Sequence, residues 1–324
     1  MNDIKALKPH YFWLNPAWQG AFWKIVSCGC FAGINAVVRY LGGGGAIAPE
    51  APLPVNVMLF FQNVFGFILI LPFFYQFNKS SKINLQWKTA YPKMHFFRVV
   101  TAVLGIVFFY LSLQKMSIAE SVALSFTGPV FTIIGARLLL GEVMDGQRFL
   151  AVLFSILGAF IITRPDIMLL KPGTALGFSA LLPLLSALAL AISKLLTRQL
   201  AKAGETPEQL TLFLLFGMIP VSFIPACYEW VTPLYSHWPW LITLGFLAVL
   251  AHISFGKAYA LAEVTFLMPF GFSKFLFSML LGYYCFLEIP SFSLWLGMGV
   301  IGLSLLCLAY KIPLYSIAKR FKSN

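Results

Sequence analysis

The sequence predicts an all-α integral membrane protein with ten transmembrane helices, built as two inverted five-helix repeats with both termini in the cytoplasm. Three observations lead to this fold class. Of the 324 residues, 60% are hydrophobic and only 10% are charged. Ten apolar segments have the length of a membrane span, and two distant stretches have the same pattern. A soluble domain carries about 25% charged residues, so most of this surface must face lipid.

Each predicted helix is an apolar run close to the 20 or so residues that cross a hydrocarbon core. Strands of a barrel would alternate polar and apolar residues, and these runs do not. In chain order the predicted helices occupy residues 18–41, 54–77, 95–114, 118–140, 147–164, 174–198, 209–230, 237–262, 264–287 and 290–312.

The distribution of lysine and arginine predicts the orientation of these helices. Basic residues concentrate in the N-terminal segment, in the loops after the second and sixth helices and in the C-terminal tail. Loops enriched in lysine and arginine stay in the cytoplasm, which places both termini there. The net charge of +12 arises from these loops, so we expect no nucleic-acid partner.

A duplication is predicted from two similar stretches about 145 residues apart, close to half the chain. The first opens with Ala119-Glu120 and contains Pro129, and the second opens with Ala262-Glu263 and contains Pro269. Five helices per half is an odd number, so the second repeat must be inverted. The predicted divisions are a segment 1–17, repeats 18–164 and 165–312, and a basic tail 313–324.

Both prolines of the duplicated stretches are expected to matter for conformational change. Pro129 and Pro269 interrupt the helical hydrogen bonds and free carbonyl groups. In lipid, freed carbonyls are tolerated where protein or cavity water satisfies them. We therefore expect both prolines to face the interior and to let their helices flex.

Lys274 is the basic residue deepest inside a predicted helix. It lies about ten residues, or 15 Å, from the helix end, near the middle of a hydrocarbon core about 30 Å thick. A lysine at that depth needs a wet cavity or a partner, so Lys274 is predicted to anchor an anionic group. A structural ion pair and a proton-carrying role stay open. The other basic residues within predicted helices are expected to extend to the headgroups: Lys24, Arg39, Arg98, Arg137 and Lys257.

Further candidates for the substrate site are polar or aromatic residues inside the predicted helices. Aromatic rings would pack on the body of a substrate, and polar groups would supply hydrogen bonds, although such groups equally often join helices. The aromatic candidates are Tyr110, Phe126, Phe270 and Phe272, and the polar candidates are Asn35, Gln62, Asn63, His252 and Ser273.

The residues give no indication of an enzyme, a metal site or a cofactor. The five cysteines fall in or beside apolar runs and have no metal-ligand spacing. No HExxH, GxSxG or P-loop pattern occurs, and the few acidic residues lie mostly at helix ends. We therefore predict no catalytic residues.

The chain resembles the drug/metabolite transporter superfamily, EamA type. The resemblance is carried by residues 108–113, by 117–129 with Ser117-Ile118-Ala119-Glu120 and Gly128-Pro129, and by Leu140-Gly141-Glu142. It implies two inverted repeats around a central cavity in a bacterial inner membrane. The subgroup most similar to this chain includes S-adenosylmethionine and riboflavin uptake carriers.

The expected function is therefore secondary active transport of a small organic metabolite by alternating access. Amino-acid-like, nucleoside-like or S-adenosylmethionine-like, and vitamin-like substrates all stay open, as do proton coupling, exchange and the oligomeric state. The alternative is a flippase for a lipid-linked intermediate, which would need a slot open to the bilayer.

Overall fold

The computed structural model describes residues 16–44, 51–80, 89–140, 146–163, 179–205, 207–262, 267 and 269–309. These residues form eleven α-helices and two short 3-10 helices, Tyr235–His237 and Pro269–Phe272, with no strand among them. The α-helices are α1 Pro16–Leu41, α2 Val55–Ser80, α3 Pro92–Lys115, α4 Ile118–Ser125, α5 Gly128–Leu140, α6 Gly146–Thr163, α7 Leu181–Lys202, α8 Pro207–Tyr228, α9 Trp238–Leu261, α10 Ser273–Phe286 and α11 Phe292–Ala309.

Two predicted helices differ from the structure because each is divided. The predicted helix 118–140 is α4 followed by α5, with a break at Phe126 and Thr127. Pro129 explains the break, since its ring excludes the carbonyl four residues earlier, and that carbonyl belongs to Ser125, the last residue of α4. In the predicted helix 264–287, the 3-10 turn Pro269–Phe272 precedes α10.

Five stretches are long and apolar enough to cross a membrane, and shorter apolar helices accompany them. The long ones are Pro16–Leu41, Pro92–Lys115, Ile118–Leu138, Leu181–Leu200 and Tyr235–Ala258. Large apolar side chains point outward from several helices, as Ile156, Phe223 and Phe246 do. An outer surface of this kind is stable in hydrocarbon and not in water, so the helical membrane class is confirmed.

The helices of the first half pack chiefly on helices of the second half. Helix α1 lies along α9, α3 along α7, and α6 along α11, and these are the most extensive contacts among the described helices. Helix α2 contacts both α8 and α9, while α10 lies against α1 and α4. The space between the halves is therefore bounded by α1, α3, α7, α9 and α10.

The α6–α11 contact depends on two glycines. A Cβ at Gly158 would lie 2.7 Å from the Gly297 carbonyl oxygen, and a Cβ at Gly297 would lie 2.7 Å from the Gly158 carbonyl oxygen. The hydroxyls of Ser155 and Ser304 meet at 2.6 Å, and Ser304 also donates to the Ala151 carbonyl. Small residues that let backbones approach are typical of helix packing in lipid.

Several predictions fall wholly or mainly outside the described residues. These are the N-terminal segment 1–17, the division between the repeats at 164–165, the basic tail 313–324, and the acidic residues Glu142 and Glu263.

Candidate substrate site

Lys274 lies where three helices meet, and its charge faces aromatic rings. Its Nζ atom is 5.0 Å from the ring centroid of Phe109 on α3 and 5.6 Å from that of Phe31 on α1. Phe31 is near the middle of α1, so the ammonium is at mid-depth in the bundle. An ammonium over ring faces is attracted by the ring quadrupole.

His252 extends this group through a second contact with Phe31. The two ring centroids are 5.8 Å apart in an edge-to-face arrangement. The His252 side chain keeps accessible surface. Phe31, Phe109, His252 and Lys274 are together called the central site.

Two predicted aromatic residues form a neighbouring contact between the halves. Phe126, in the break between α4 and α5, lies with its ring centroid 6.1 Å from that of Phe272. Phe272 also contacts Phe275, at 5.7 Å between centroids. Phe270 is separate from them, since its ring meets Trp18 at the beginning of α1. The division of both helices at their prolines thus brings Phe126 and Phe272 together.

Three predicted site residues, one aromatic and two polar, are engaged between helices instead. The Tyr110 hydroxyl donates to Oε1 of Gln62, and both side chains are buried. The Asn63 amide donates to the Ser222 hydroxyl on α8 at 3.2 Å. These contacts join α2 to α3 and to α8, which is the role of interhelical polar pairs in lipid.

Asn35 and Ser273 complete the predicted polar candidates. Asn35 follows Phe31 by one turn on α1; it is buried, and its amide nitrogen has no hydrogen-bond partner among the described residues. An unpaired buried donor beside the central site is free to bind a ligand acceptor. Ser273 donates its hydroxyl to the Phe270 carbonyl at 2.6 Å, so it stabilises the turn before Lys274.

The expectation that the basic residues reach the headgroups is wrong for Arg39 and Arg98. Arg98 is buried and donates to the Leu210 carbonyl on α8. Arg39 is also buried, and its guanidinium donates to the carbonyls of Leu113 and Met116. Both arginines bind carbonyls at helix ends, because a buried guanidinium must find acceptors inside the protein.

Arg39 also joins the two halves through Glu288. Its Nε lies 2.6 Å from Oε1 of Glu288, in the linker between α10 and α11. The other carboxylate oxygen of Glu288 accepts from the backbone N–H of Ile118 at 3.0 Å. Burial raises the pKa of Glu288, whereas the Arg39 charge acts to lower it. We call Arg39, Glu288 and the Ile118 N–H the end clamp.

Glu120 supports the end clamp from the first turn of α4. It forms a capping box with Ser117, in which each side chain accepts from the other residue's backbone N–H. A small cavity beside the clamp is lined in part by Ser117, Glu120 and Glu288. This cavity is at the end of the bundle and is separate from the central site.

Sequence reasoning missed Phe31 and Phe109, because phenylalanine is the commonest aromatic residue here, with 33 copies. Lys24 was expected at the headgroups, but it is buried with its Nζ 4.5 Å from the Phe255 ring centroid.

Among the described residues no group of His, Cys, Asp and Glu could hold a metal ion. The central site combines aromatic faces, an ammonium and an imidazole, which can hold a flat ring bearing polar atoms.

Comparison with known proteins relates this chain to carriers. It is 31% identical to a riboflavin transporter of Rhizobium johnstonii, over 87% of this chain and 88% of the relative. It is 30% identical to a riboflavin transporter of Vibrio cholerae over 88% and 91%, and 23% identical to an S-adenosylmethionine uptake transporter of Rickettsia bellii over 84% and 86%.

A crystal structure of a protein 15% identical to this chain has a similar fold, with a TM-score of 0.55 over 90% of this chain and 96% of that one. The EamA-like transporter family matches residues 18–164. The relatives are named as transporters, so the chain is a small-metabolite transporter rather than an enzyme. This multi-pass membrane protein belongs to the EamA-like transporter family, as its sequence resemblance predicted.

Proposed function

We propose that this protein is a secondary carrier for an aromatic, vitamin-type metabolite of the flavin class in the bacterial inner membrane. The observation that carries the proposal is the central site, where Lys274 faces the rings of Phe31 and Phe109 at mid-depth. A tricyclic flavin ring can stack on such rings, and its oxygen atoms can accept from the ammonium. The riboflavin transporters among the relatives support the same substrate class.

The remaining site candidates have secondary roles in this proposal. His252 and Asn35 supply hydrogen bonds at the central site, and Phe126 and Phe272 close it where the two divided helices meet. Tyr110, Gln62 and Asn63 hold α2 against its neighbours. Phe270 and Ser273 shape the turn before Lys274. Pro129 and Pro269 allow these segments to rearrange during transport.

The pairing of helices supports a two-fold relation between two five-helix repeats, and the odd number of helices in each repeat would make that relation an inversion. If α1, α2 and α3 correspond to α7, α8 and α9, the α1–α9 contact corresponds to the α3–α7 contact, and both are extensive. In the same way, the α2–α9 contact corresponds to the α3–α8 contact. The α2–α8 and α6–α11 contacts each join two corresponding helices, so exchanging the two repeats leaves each of these contacts unchanged. A two-fold axis in the membrane plane would relate such pairs.

The end clamp then closes one side of the carrier. With both termini in the cytoplasm, α1 ends at the outer side, so Arg39 and Glu288 join the halves there. Lys24 lies about 22 Å from Arg39 along α1 at 1.5 Å per residue, toward the inner side. In alternating access, the halves would rock about the central site, and the clamp would open when the inner side closes.

The test is uptake of labelled riboflavin by proteoliposomes containing the purified protein. We expect saturable uptake that S-adenosylmethionine does not inhibit. Uptake measured with and without a pH gradient distinguishes proton coupling from exchange. Uptake of S-adenosylmethionine without riboflavin uptake would overturn the proposal. A lipid flippase is not favoured, since the relatives are named for small molecules.

Lys274→Ala tests the central site itself. We expect a loss of flavin affinity of about tenfold or more, because a charged hydrogen-bond donor to the substrate disappears. The midpoint of thermal unfolding should stay close to wild type, and Lys257→Ala, which removes an exposed lysine on α9, is the matched control. Wild-type affinity in Lys274→Ala would contradict the assigned role.

A further inference from the structure

The two halves of the chain also meet through polar side chains at the end of α3 opposite the end clamp. Nε2 of His95, in the first turn of α3, lies 3.1 Å from Oε2 of Glu205, which follows α7. The other carboxylate oxygen of Glu205 accepts from the hydroxyl of Thr89, just before α3. The side chains of His95 and Glu205 are each only 6% exposed. We call Thr89, His95 and Glu205 the second clamp.

The end of α7 positions Glu205 for this contact. Gly204 has a φ of 96°, a left-handed conformation that glycine adopts without strain. The N–H of Glu205 then donates to the Leu200 carbonyl at 3.2 Å, a bond that ends many helices. The backbone of Glu205 is therefore fixed relative to α7, and its carboxylate reaches α3.

The His95 ring is also packed against the second half. Its centroid is 4.6 Å from the ring centroid of Phe213 on α8. About one turn further along α3, the buried Arg98 donates to the Leu210 carbonyl of α8. The carbonyl of Arg98 accepts from the hydroxyl of Ser193 on α7 at 3.0 Å. The second clamp thus lies at the end of a contact that joins α3 to α7 and α8.

The two clamps are at opposite ends of α3. In the end clamp, Arg39 binds the Leu113 carbonyl, which is about 27 Å from His95 along the helix at 1.5 Å per residue. This length is close to the hydrocarbon thickness of about 30 Å, so one clamp is near each aqueous boundary. Phe109, which contacts Lys274, lies between them on the same helix. Each clamp uses a glutamate of the second half.

A polar contact near an aqueous boundary suits a closure that must open and form again. While the halves are together, the carboxylate of Glu205 exchanges its hydration for bonds to His95 and Thr89. When the halves separate at this end, water replaces those bonds, so the net free-energy cost of opening is small. An apolar contact would instead expose hydrocarbon surface to water, which costs more.

We propose that the second clamp is the inner gate of the carrier, which closes the cytoplasmic side of the central site. With both termini in the cytoplasm, α3 begins at the inner side and ends at the outer side. Both clamps are formed in this structure, so access from either side requires one of them to open. This inference rests on the alternating access and orientation of the proposed function, and it is independent of the substrate.

The experiment measures access to the central site without any substrate. Ser273→Cys, at a partly accessible position next to Lys274, is introduced into a cysteine-free background as a probe. Inside-out vesicles present the inner side of the carrier to an impermeant maleimide, and right-side-out vesicles present the outer side. The rate at which this cysteine is labelled from each side reports how often that side is open.

Glu205→Ala removes both side-chain bonds of the second clamp. We expect labelling from the inner side to become about tenfold faster, because two hydrogen bonds that hold the gate closed are lost. Labelling from the outer side should not become faster, since inward-open states gain population at the expense of the others. A merely structural role for Glu205 would loosen both sides alike. Glu229→Ala, which removes a carboxylate from an exposed contact with Asn56, is the matched control and should leave both rates unchanged.

His95→Phe tests the polar contact while keeping the ring. The new ring can still pack on Phe213, but it has no nitrogen to bind Glu205. We expect the same direction of change as in Glu205→Ala, so the gate is tested even where Glu205→Ala does not fold. Glu288→Gln, in the end clamp, should have the reverse effect and speed labelling from the outer side.

The outcomes separate this gate from the proposed function. An unchanged rate from the inner side in both variants, or an equal rise on both sides, would overturn the inner gate. A rise from the outer side alone would also overturn it, because the second clamp would then close the outer face. If the rates change as expected but riboflavin is not carried, the proposed substrate class fails and the inner gate stands.

Discussion

At the residue scale, Phe31 connects the parts of the central site. Its ring meets the Lys274 ammonium on one side and the His252 ring on another. Two side chains from α9 and α10 are therefore positioned by one side chain of α1. Phe31 is partly buried and packs on the apolar core, so its position is determined by packing and leaves its ring available to a ligand.

Phe31→Leu removes the ring while keeping an apolar side chain. We expect flavin affinity to fall about tenfold, since an aromatic contact contributes roughly 0.5–1.5 kcal/mol beyond its area. Isothermal titration of the purified protein measures this change. Phe246→Leu, at an exposed position on α9, is the control and should bind normally. Unchanged affinity in Phe31→Leu would exclude stacking on this ring.

Glu288 is the residue whose charge matters most for stability at the end of the bundle. Glu288→Gln leaves the buried Arg39 guanidinium without its counter-charge, which we expect to cost about 3 kcal/mol. Thermal unfolding in detergent measures the loss. The double variant Arg39→Met with Glu288→Met should lose less than Glu288→Gln, because neither charge then stays buried. Glu229→Gln, at an exposed position, serves as control, and equal stability of Glu288→Gln and wild type would contradict the end clamp.

At the element scale, the helices are joined by small residues and by polar contacts to carbonyls. The α6–α11 pair shows both, with Gly158 facing Gly297 and Ser155 facing Ser304. Water cannot drive this association inside lipid, so close packing and hydrogen bonding must supply the stability. The helix 118–140 is instead divided by a proline, since Pro129, the second residue of α5, cannot continue the hydrogen bonding of α4.

Gly158→Val tests the close approach of α6 and α11. The new side chain would meet the Gly297 carbonyl oxygen and Ile301, so the helices must separate. We expect a loss of about 1–3 kcal/mol, as for other overpacked positions. Gly299→Val on α11 is the matched control, because a Cβ there meets nothing within 4 Å. The comparison uses thermal unfolding in one detergent, and equal midpoints would refute the assigned contact.

At the scale of the whole molecule, each half depends on the other. The most extensive helix contacts join α1 to α9, α3 to α7 and α6 to α11. In the proposed alternating-access cycle, a movement of one half against the other must tilt or slide these packed pairs. The central site lies between the halves, where such a movement would alter access most.

The proposed orientation predicts which loops face outward. Ser236, between α8 and α9, should lie outside the cell, and Ala203, after α7, should lie inside; both are exposed. In a cysteine-free background, Ser236→Cys should react with an impermeant maleimide in intact cells. Ala203→Cys should react only after the cells are permeabilised. The reverse pattern would overturn the cytoplasmic placement of the termini.

Apart from the division of two helices at their prolines, sequence alone determined the class, the family and the approximate positions of the described α-helices. These follow from hydrophobic length and from the motif around Glu120 and Pro129, which are local properties that no distant contact alters. It also identified Lys274 as exceptional, because a charge in mid-helix is costly whatever surrounds it.

Only the tertiary structure decided which residues meet. Tyr110 and Gln62 pair with each other, whereas Lys274 finds Phe31 and Phe109 on helices far away in the sequence. A polar residue in lipid must find a partner, but the sequence does not say which helix presents that partner. Helix packing makes that choice.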